Sequence, residues 1–340
     1  MSKTNNKQIA LAVAGVVVCA SSGAHAAGFQ LFEQGVSGLG TAYASGAAAE
    51  DASTIYWNPA GMTYLPGKNL SLGGHLIDAS AKFSNNGSSF ANLPLGAVSG
   101  SDGGDAGDLA IVPNAFYSHA INDQLRVGVG MSSIFGLKTE YDEDWVGRYH
   151  AQVSDLRTIN INPSLAYRIN DKFSIGGGLN VVRADVELSN ALNFGLIGGL
   201  QVPAGLGGPV LTLNQQRDGK VKLEGDDWAY GFNFGVMAQV TPAARVGFSY
   251  RSKVKVEVEG DATFTVPNLS PPFPGAINTG VAAAFGNTGV TATVELPEII
   301  SLNTHVRLND RWALLGDVTF TNWSRFKELR IKFDDGRADS

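Results

Sequence analysis

The residues able to do chemistry in this chain are few and scattered. His75, His119, His150 and His305 lie far apart, and none accompanies a nucleophile motif. A hydrolase needs a serine or cysteine with a histidine in reach and a third group to orient it. The chain has no Gly-x-Ser-x-Gly stretch and no metal-ligand spacing. Its single cysteine, Cys19, follows Val18, a larger residue than lipid attachment normally accepts. Two arginines invite a binding role: Arg148 in Val146-Gly147-Arg148-Tyr149, and Arg183 close to Asp185 and Glu187. A guanidinium can hold a substrate carboxylate through paired hydrogen bonds, or it can join an ion-pair network. This inventory allows recognition without covalent catalysis, and it calls for no metal and no cofactor.

One short stretch needs a structural explanation. Ile55-Tyr56-Trp57-Asn58-Pro59-Ala60-Gly61-Met62 places two large aromatics before an Asn-Pro pair. Asn-Pro breaks regular structure, so the stretch is a rigid turn. It closes a segment that holds a run of small residues over 35–49 together with Phe29, Phe32 and Tyr43. A disordered tail would carry few aromatics, so residues 27–66 read as a plug that packs inside something.

The elements around it are an export leader and many strands. Lys3 and Lys7, an apolar run over 9–20 and Ala24-His25-Ala26 read as a signal peptide over residues 1–26. Charged residues make up 16% of the chain, glycine numbers 42, and the net charge of −6 gives no footprint for nucleic acid. No later stretch has 18 apolar residues in a row, so no transmembrane helix is expected.

Period-two alternation carries the fold class. In residues 157–169 one face is Ile159, Ile161, Pro163, Leu165, Tyr167 and Ile169, and the other is Thr158, Asn160, Asn162, Ser164, Ala166 and Arg168. Residues 228–240, 300–309 and 312–321 alternate in the same way. Tight polar turns at Asn122-Asp123, Asn170-Asp171 and Asn309-Asp310 alternate with long connections starting near Phe83, Gly136, Asn190 and Gly260. Short turns on one rim and long loops on the other are the layout of an outer-membrane β-barrel, whereas a soluble sandwich has shorter, less regular connections.

The expected strands are 68–80, 110–121, 125–135, 156–169, 172–188, 228–240, 245–259, 294–308 and 312–333. The fifth changes face near Val181-Val182, which predicts a bulge that turns Arg183, Asp185 and Glu187 to the lumen. Nine is an odd count, and an open sheet leaves unpaired edges in hydrocarbon. The expectation is therefore an all-β transmembrane antiparallel barrel over 67–340 that lacks its last strands.

The ordered set of motifs resembles the FadL-type long-chain fatty acid and hydrocarbon transporters. It begins with Ala27-Gly28-Phe29-Gln30-Leu31, Gly38-Leu39-Gly40-x-Ala42-Tyr43 and Asn58-Pro59-Ala60. It continues through Pro113-Asn114, Ile134-Phe135-Gly136-Leu137-x-Thr139-x-Tyr141 and Ser164-Leu165-Ala166-Tyr167-Arg168. Tyr250-Arg251-Ser252, Leu296-Pro297-Glu298 and Thr321-Asn322-Trp323-Ser324-x-Phe326 complete it, so it covers essentially the whole mature chain.

The resemblance implies a barrel of about fourteen strands with an N-terminal hatch in its lumen. It further implies capture of a hydrophobic compound at an extracellular groove, transfer to a pocket by the hatch, and lateral release beside a kinked third strand. Long-chain fatty acids are the first substrate class, aromatic or alkane hydrocarbons the alternative, and a general porin a third reading. Hatch and gate roles fall on Phe29, Asn58, Pro59 and Ala60, with the Asn-Pro turn expected closest to the exit, and the kink on Ser132, Ser133, Phe135 and Gly136. The groove falls on Phe194, Leu196, Ile197, Leu200, Phe264 and Phe273, and head-group contacts on Arg148 and Arg183. The surroundings expected are outer-membrane lipid and lipopolysaccharide, insertion by the barrel-assembly machinery, and a monomeric state.

Overall fold

In the computed structural model the described residues are 28–90, 96–202, 215–271 and 273–337, and the leader expected over 1–26 lies outside them. The alternating segments become one antiparallel sheet of thirteen strands among the described residues. They are β1 Lys68–Asp78, β2 Leu109–Ala120, β3 Leu125–Ser132, β4 Gly136–Glu140, β5 Val153–Arg168, β6 Phe173–Asn193 and β7 Asp218–Thr241. There follow β8 Ala244–Arg251, β9 Val254–Thr265, β10 Thr288–Leu296, β11 Ile299–Arg307, β12 Ala313–Thr321 and β13 Arg330–Phe333.

The main path runs β1-β2-β3-β5-β6-β7-β8-β11-β12, with β4 beside β5, and β9, β10 and β13 continuing the wall beside the upper part of β7. Three tight turns use one device. The side-chain oxygens of Asn122, Asn170 and Asn309 each accept from the backbone N–H groups two and three residues on, at 2.8–3.0 Å. An asparagine closes such a turn because its amide oxygen imitates a backbone acceptor.

The plug fixes which face is the lumen. A Cβ on Gly73 of β1 would meet Val36, one on Gly128 of β3 would meet Ile55 and Met62, and one on Gly176 of β6 would meet Pro59 and Ala60. Asn58 lies against Gly235 of β7 and Gly247 of β8, and Gly46 against Asn303 of β11. One short segment touches strands from one end of the path to the other, so the sheet curls around it. The opposite face carries exposed apolar side chains such as Leu76, Ile111, Tyr230 and Phe320, all at least 60% exposed. A continuous apolar belt of this size belongs in hydrocarbon and not in water.

Three expected strands are divided. Breaks at Ser252-Lys253, Pro297-Glu298 and after Thr321 separate β8 from β9, β10 from β11, and β12 from β13. Pro297 lacks the N–H that an unbroken ladder would need there. The wall above the breaks pairs with the upper part of β7, while the wall below pairs with its lower part.

The bulge expected at Val181-Val182 is absent. The β6–β7 register runs from Phe173↔Ala238 to Asn193↔Asp218 without a shift, and Ile161↔Val181 and Asn160↔Val182 are regular with β5. Arg183, Asp185 and Glu187 therefore share the outward face with Phe173, Ile175 and Leu179. The strand keeps its alternation, and its surroundings change instead. Beyond the hydrocarbon the outward face meets water and turns polar, and the inward face becomes apolar.

Candidate functional site

The N-terminal segment is built from short helices joined by turns: α1 Val36–Leu39, α2 Thr54–Trp57, and a 3-10 turn over Pro59–Tyr64. Asn58 ends the first of the latter two and starts the second. Its side-chain oxygen accepts from the Ala60 N–H at 3.2 Å, and proline at the next position needs no such partner. Its amide nitrogen donates to the Val236 carbonyl at 3.1 Å and the Phe248 carbonyl at 3.2 Å. Asn58 is completely buried and ties the plug to β7 and β8. Pro59 and Ala60 sit beside Gly176 of β6. The Asn-Pro turn, expected closest to the exit, is therefore seated on the β6–β8 wall, and the start of the plug, not this turn, is bonded to the break in the third strand.

That break lies where the sequence places it. Ser132 pairs with Asn160 and Gly136 with Arg157, so Ser133, Ile134 and Phe135 oppose only Thr158 and Ile159. One extra residue bends the strand out of the ladder. Thr158 stitches it, with Oγ1 donating to the Phe135 carbonyl at 2.6 Å and accepting from the Phe135 N–H at 3.1 Å.

On the other side, β3 joins β2 only up to Ala115↔Met131, and Leu109–Asn114 pair with β1 alone. A slot thus separates the upper part of β2 from β4. Lys138 and Asp108 close its outer end at 2.7 Å. The hydrogen bond from Lys138 and the Leu109 N–H hold the exposed Asp108 carboxyl below its ordinary range.

The start of the plug fills the break from inside. Gln30 bridges Phe135, the Leu31 N–H donates to the Ile134 carbonyl at 2.9 Å, and the Gly136 N–H donates to the Phe29 carbonyl at 3.0 Å. The Phe29 ring lies 4.7 Å from Trp323, 5.5 Å from Phe326 and 6.0 Å from Phe135, each edge to face. Phe29, Ser132, Ser133, Phe135 and Gly136 thus come together, and Trp323 and Phe326 join them. The sequence shows those two as a motif but not as neighbours of the third strand.

Above the plug the inward face turns apolar. Val182, Ala184, Ala229, Val254, Val256, Val258, Val294 and Leu296 form one buried cluster with Ile55 and Tyr56 of the plug and Ile134 and Phe135 of the break. A cavity of about 340 Å³ opens nearer the mouth, with Leu188, Leu223, Phe264, Phe285 and Phe333 in its lining. Below this apolar chamber wall, at the next inward positions of the same strands, lies a polar belt of Asn160, Asn162, Asn180, Asn233 and Arg251, all buried.

The two apolar loops each fold into a helix, α3 Phe194–Leu200 and α4 Gly275–Ala284. Phe194, Val202, Leu269, Phe273 and Val281 pack together, with Ile197 against them. Leu196 is half-buried, Leu200 is exposed, and residues 203–214 lie outside the described residues. Phe264 lines the cavity and meets this cluster through Phe285, whose ring lies 5.7 Å from Phe264 and 4.9 Å from Phe194.

Arg148 and Arg183 do not meet in one site. Arg148 is buried and bonds Asp218 at 2.8 Å and the Ser99 carbonyl at 2.7 Å. Burial and the Asp218 carboxylate push the neighbouring Tyr149 hydroxyl well above its ordinary pKa. Arg183 faces outward, pairs with Asp185 at 3.1 Å and Asp226 at 3.2 Å, and lies over the Trp228 ring. The expectation that it faces the lumen fails because no bulge turns it inward.

Comparison with known proteins completes the picture. Residues 17–340 match the family model described as outer membrane protein transport protein (OMPP1/FadL/TodX). The long-chain fatty acid transport protein of Escherichia coli O6:H1 is 33% identical over 348 residues, covering 99% of this chain and 74% of the relative. The crystal structure of a Pseudomonas aeruginosa FadL homologue superposes with a TM-score of 0.73 at 24% identity, covering 91% of this chain and 72% of that one. A structure described as the CymD monoaromatic hydrocarbon channel gives 0.61 at 21% identity, covering 92% and 75%.

Proposed function

This chain belongs to the OMPP1/FadL/TodX family of outer membrane transport proteins, and we propose that it admits long-chain fatty acids through the chamber and the wall break described above. It is an outer-membrane protein of a family that transports hydrophobic compounds. The observation that carries the finer reading is the continuity of one apolar cluster from chamber to plug to break. An alkyl chain gains about 0.8 kcal/mol for each CH₂ moved from water to such surroundings. The polar saccharide layer outside the bilayer is a barrier to it, and an apolar lining lowers that barrier.

In this reading the compound is captured near Phe264 and the helices α3 and α4, and it settles in the chamber above the plug. It leaves sideways through the slot between β2 and β4 once Phe29 and Gln30 withdraw. No step requires covalent chemistry. The aromatic cluster of Phe29, Phe135, Trp323 and Phe326 favours a second reading, passage of aromatic hydrocarbons, since flat rings stack there at no cost in chain ordering.

Growth of an uptake-deficient host carrying the full-length gene, on oleate and on toluene-type compounds, separates the two. Restoration by neither refutes transport. Rapid swelling of protein-loaded liposomes in sugars would replace both readings with a general porin.

A further inference from the structure

The ladder on one side of β7 has a gap. β9 leaves β7 at Asp226↔Glu259, and β8 takes over at Asn233↔Arg251. From 226 to 233 is seven positions, and from 251 to 259 is eight, so the two sides differ by one residue. A bulge absorbs such a mismatch with one unpaired residue. Here residues 227–231 have no ladder partner on that side, and residues 254–258 pair only with β10. Side chains hold the two ends instead. The Asp227 carboxylate accepts from the Trp228 N–H at 2.7 Å and from the Glu257 N–H at 2.9 Å. Ser252 Oγ accepts from the Phe232 N–H at 2.9 Å.

This seam has an apolar surface on each side. Inside, Ala229, Val254, Val256 and Val258 all belong to the buried chamber cluster. Gly231 brings no side chain, and a Cβ there would meet Ser252 Oγ at 2.8 Å and Val254 Cγ2 at 2.9 Å, so those two groups fill the space it leaves. Outside, Trp228 and Tyr230 are 48% and 72% exposed, between Asp226 on the loop side and Phe232 and Phe234 on the turn side. That order of residues puts the seam at the aromatic girdle of the outer leaflet. Lys253 and Lys255 form the facing lip, paired with Glu295 and Glu257. The slot between β2 and β4 lies beyond β5 and β6, so the two openings are separate. We propose that the seam is a second lateral passage, through which a single-chain amphiphile already dissolved in the outer leaflet enters the chamber. This rests on the transport reading above.

The depth of the seam suits that task. Unpaired backbone groups are costly in hydrocarbon but are satisfied by water and head groups at the interface. An amphiphile keeps its head at that level, beside the lysines, while its chain slides inward past Val254. Each CH₂ exchanges one apolar surrounding for another, so the step carries little desolvation cost. No ladder bond has to break, and the surface pairs of Lys253 and Lys255 are weak. The other side of β7 offers no such path, because its ladder with β6 runs unbroken from Phe173↔Ala238 to Asn193↔Asp218.

The test uses full-length protein without other cysteines in lipid nanodiscs, with Val256→Cys or Val294→Cys as the reporter. These residues are 1% and 5% exposed and pair directly across the β9–β10 ladder, but only Val256 borders the seam. N-dodecylmaleimide dissolved in the lipid is the membrane-borne probe, and a charged methanethiosulfonate in the water is the comparison. The membrane-borne probe is expected to label the Val256→Cys protein about tenfold faster than the Val294→Cys protein, and the water-borne probe to label both within about twofold. Adding Val254→Ala, which clears the space against Gly231, should speed membrane-borne labelling of the Val256→Cys protein about tenfold and leave water-borne labelling within about twofold. The comparison of the two reporters decides the matter even if Val254→Ala fails to fold. Equal membrane-borne rates at both reporters, or no change with a folded Val254→Ala, reduce the seam to a bulge and overturn the proposal while the transport reading stands. No membrane-borne labelling at either reporter, nor of an Ile134→Cys protein beside the slot, overturns both.

Discussion

Replacing Asn58 by alanine tests whether the plug is held by the wall or only by its own folding. The substitution removes the hydrogen bonds to the Val236 and Phe248 carbonyls and leaves the buried Ala60 N–H without its acceptor. Two net hydrogen bonds are worth about 1–3 kcal/mol together, and a buried orphan donor costs about 1–3 kcal/mol more. Even about 3 kcal/mol shifts the seated-to-released equilibrium of the plug by more than about 100-fold, at 1.4 kcal/mol per tenfold. The barrel keeps its own ladder, so the variant should still migrate faster in unheated than in heated gels. Amide exchange over residues 54–64 should accelerate, and uptake should fall.

Asn58→Asp sharpens the test. It keeps an oxygen for the Ala60 N–H but turns a carboxylate toward two carbonyl oxygens. If wall anchoring matters, the aspartate variant is worse than the alanine variant. An aspartate variant that matches the wild type would reduce Asn58 to a local cap. Loss of heat-dependent migration in both would show that the turn serves barrel assembly and would refute the reasoning.

Phe29→Ala removes three edge-to-face ring contacts, worth about 0.5–1.5 kcal/mol each. The Leu31 and Gly136 amides should then exchange faster while those of Asn58 and Ala60 do not. Gly235→Val would place a Cβ 2.1 Å from Asn58 Oδ1, so it should unseat the plug with the barrel intact, as seen by the same exchange measurement. Arg183→Gln, on the outward face, should leave oleate affinity within about twofold; a tenfold loss in a fluorescence titration would contradict the register of β6. Asp108 has its pKa lowered by Lys138, so its share in closing the slot is present above the ordinary carboxylate range and is lost as pH falls through the lowered value. The ratio of Asp108→Asn to wild-type uptake should therefore stay flat between about pH 5 and 8.

Much of the wall is legible from residue order because a strand writes its two environments at period two. Residues 157–169 and 228–240 alternate cleanly since lipid and lumen differ sharply there, and the turns at Asn122, Asn170 and Asn309 carry a local hydrogen-bond signature. The break at Ser133–Phe135 is also visible, through the lapse in alternation. Arg251 is legible as a lumen residue too. It occupies an inward position in a strand whose outward neighbours Phe248 and Tyr250 face hydrocarbon, with no acid at the inward positions beside it.

By itself the sequence determined the class of wall, the turn chemistry, the small-residue plug and the place of the wall break, because each rests on neighbours close in the chain. Only the tertiary structure decided which solvent meets each face. Alternation reports a contrast between two faces and not the identity of either, so Val181-Val182 reads as a bulge where the strand simply leaves the membrane. Tertiary structure also decided that Phe29 meets Trp323, that Asn58 rests on β7 and β8, and that Arg251 holds Tyr56. Those contacts join residues more than 170 positions apart, and no local pattern encodes a partner at that distance.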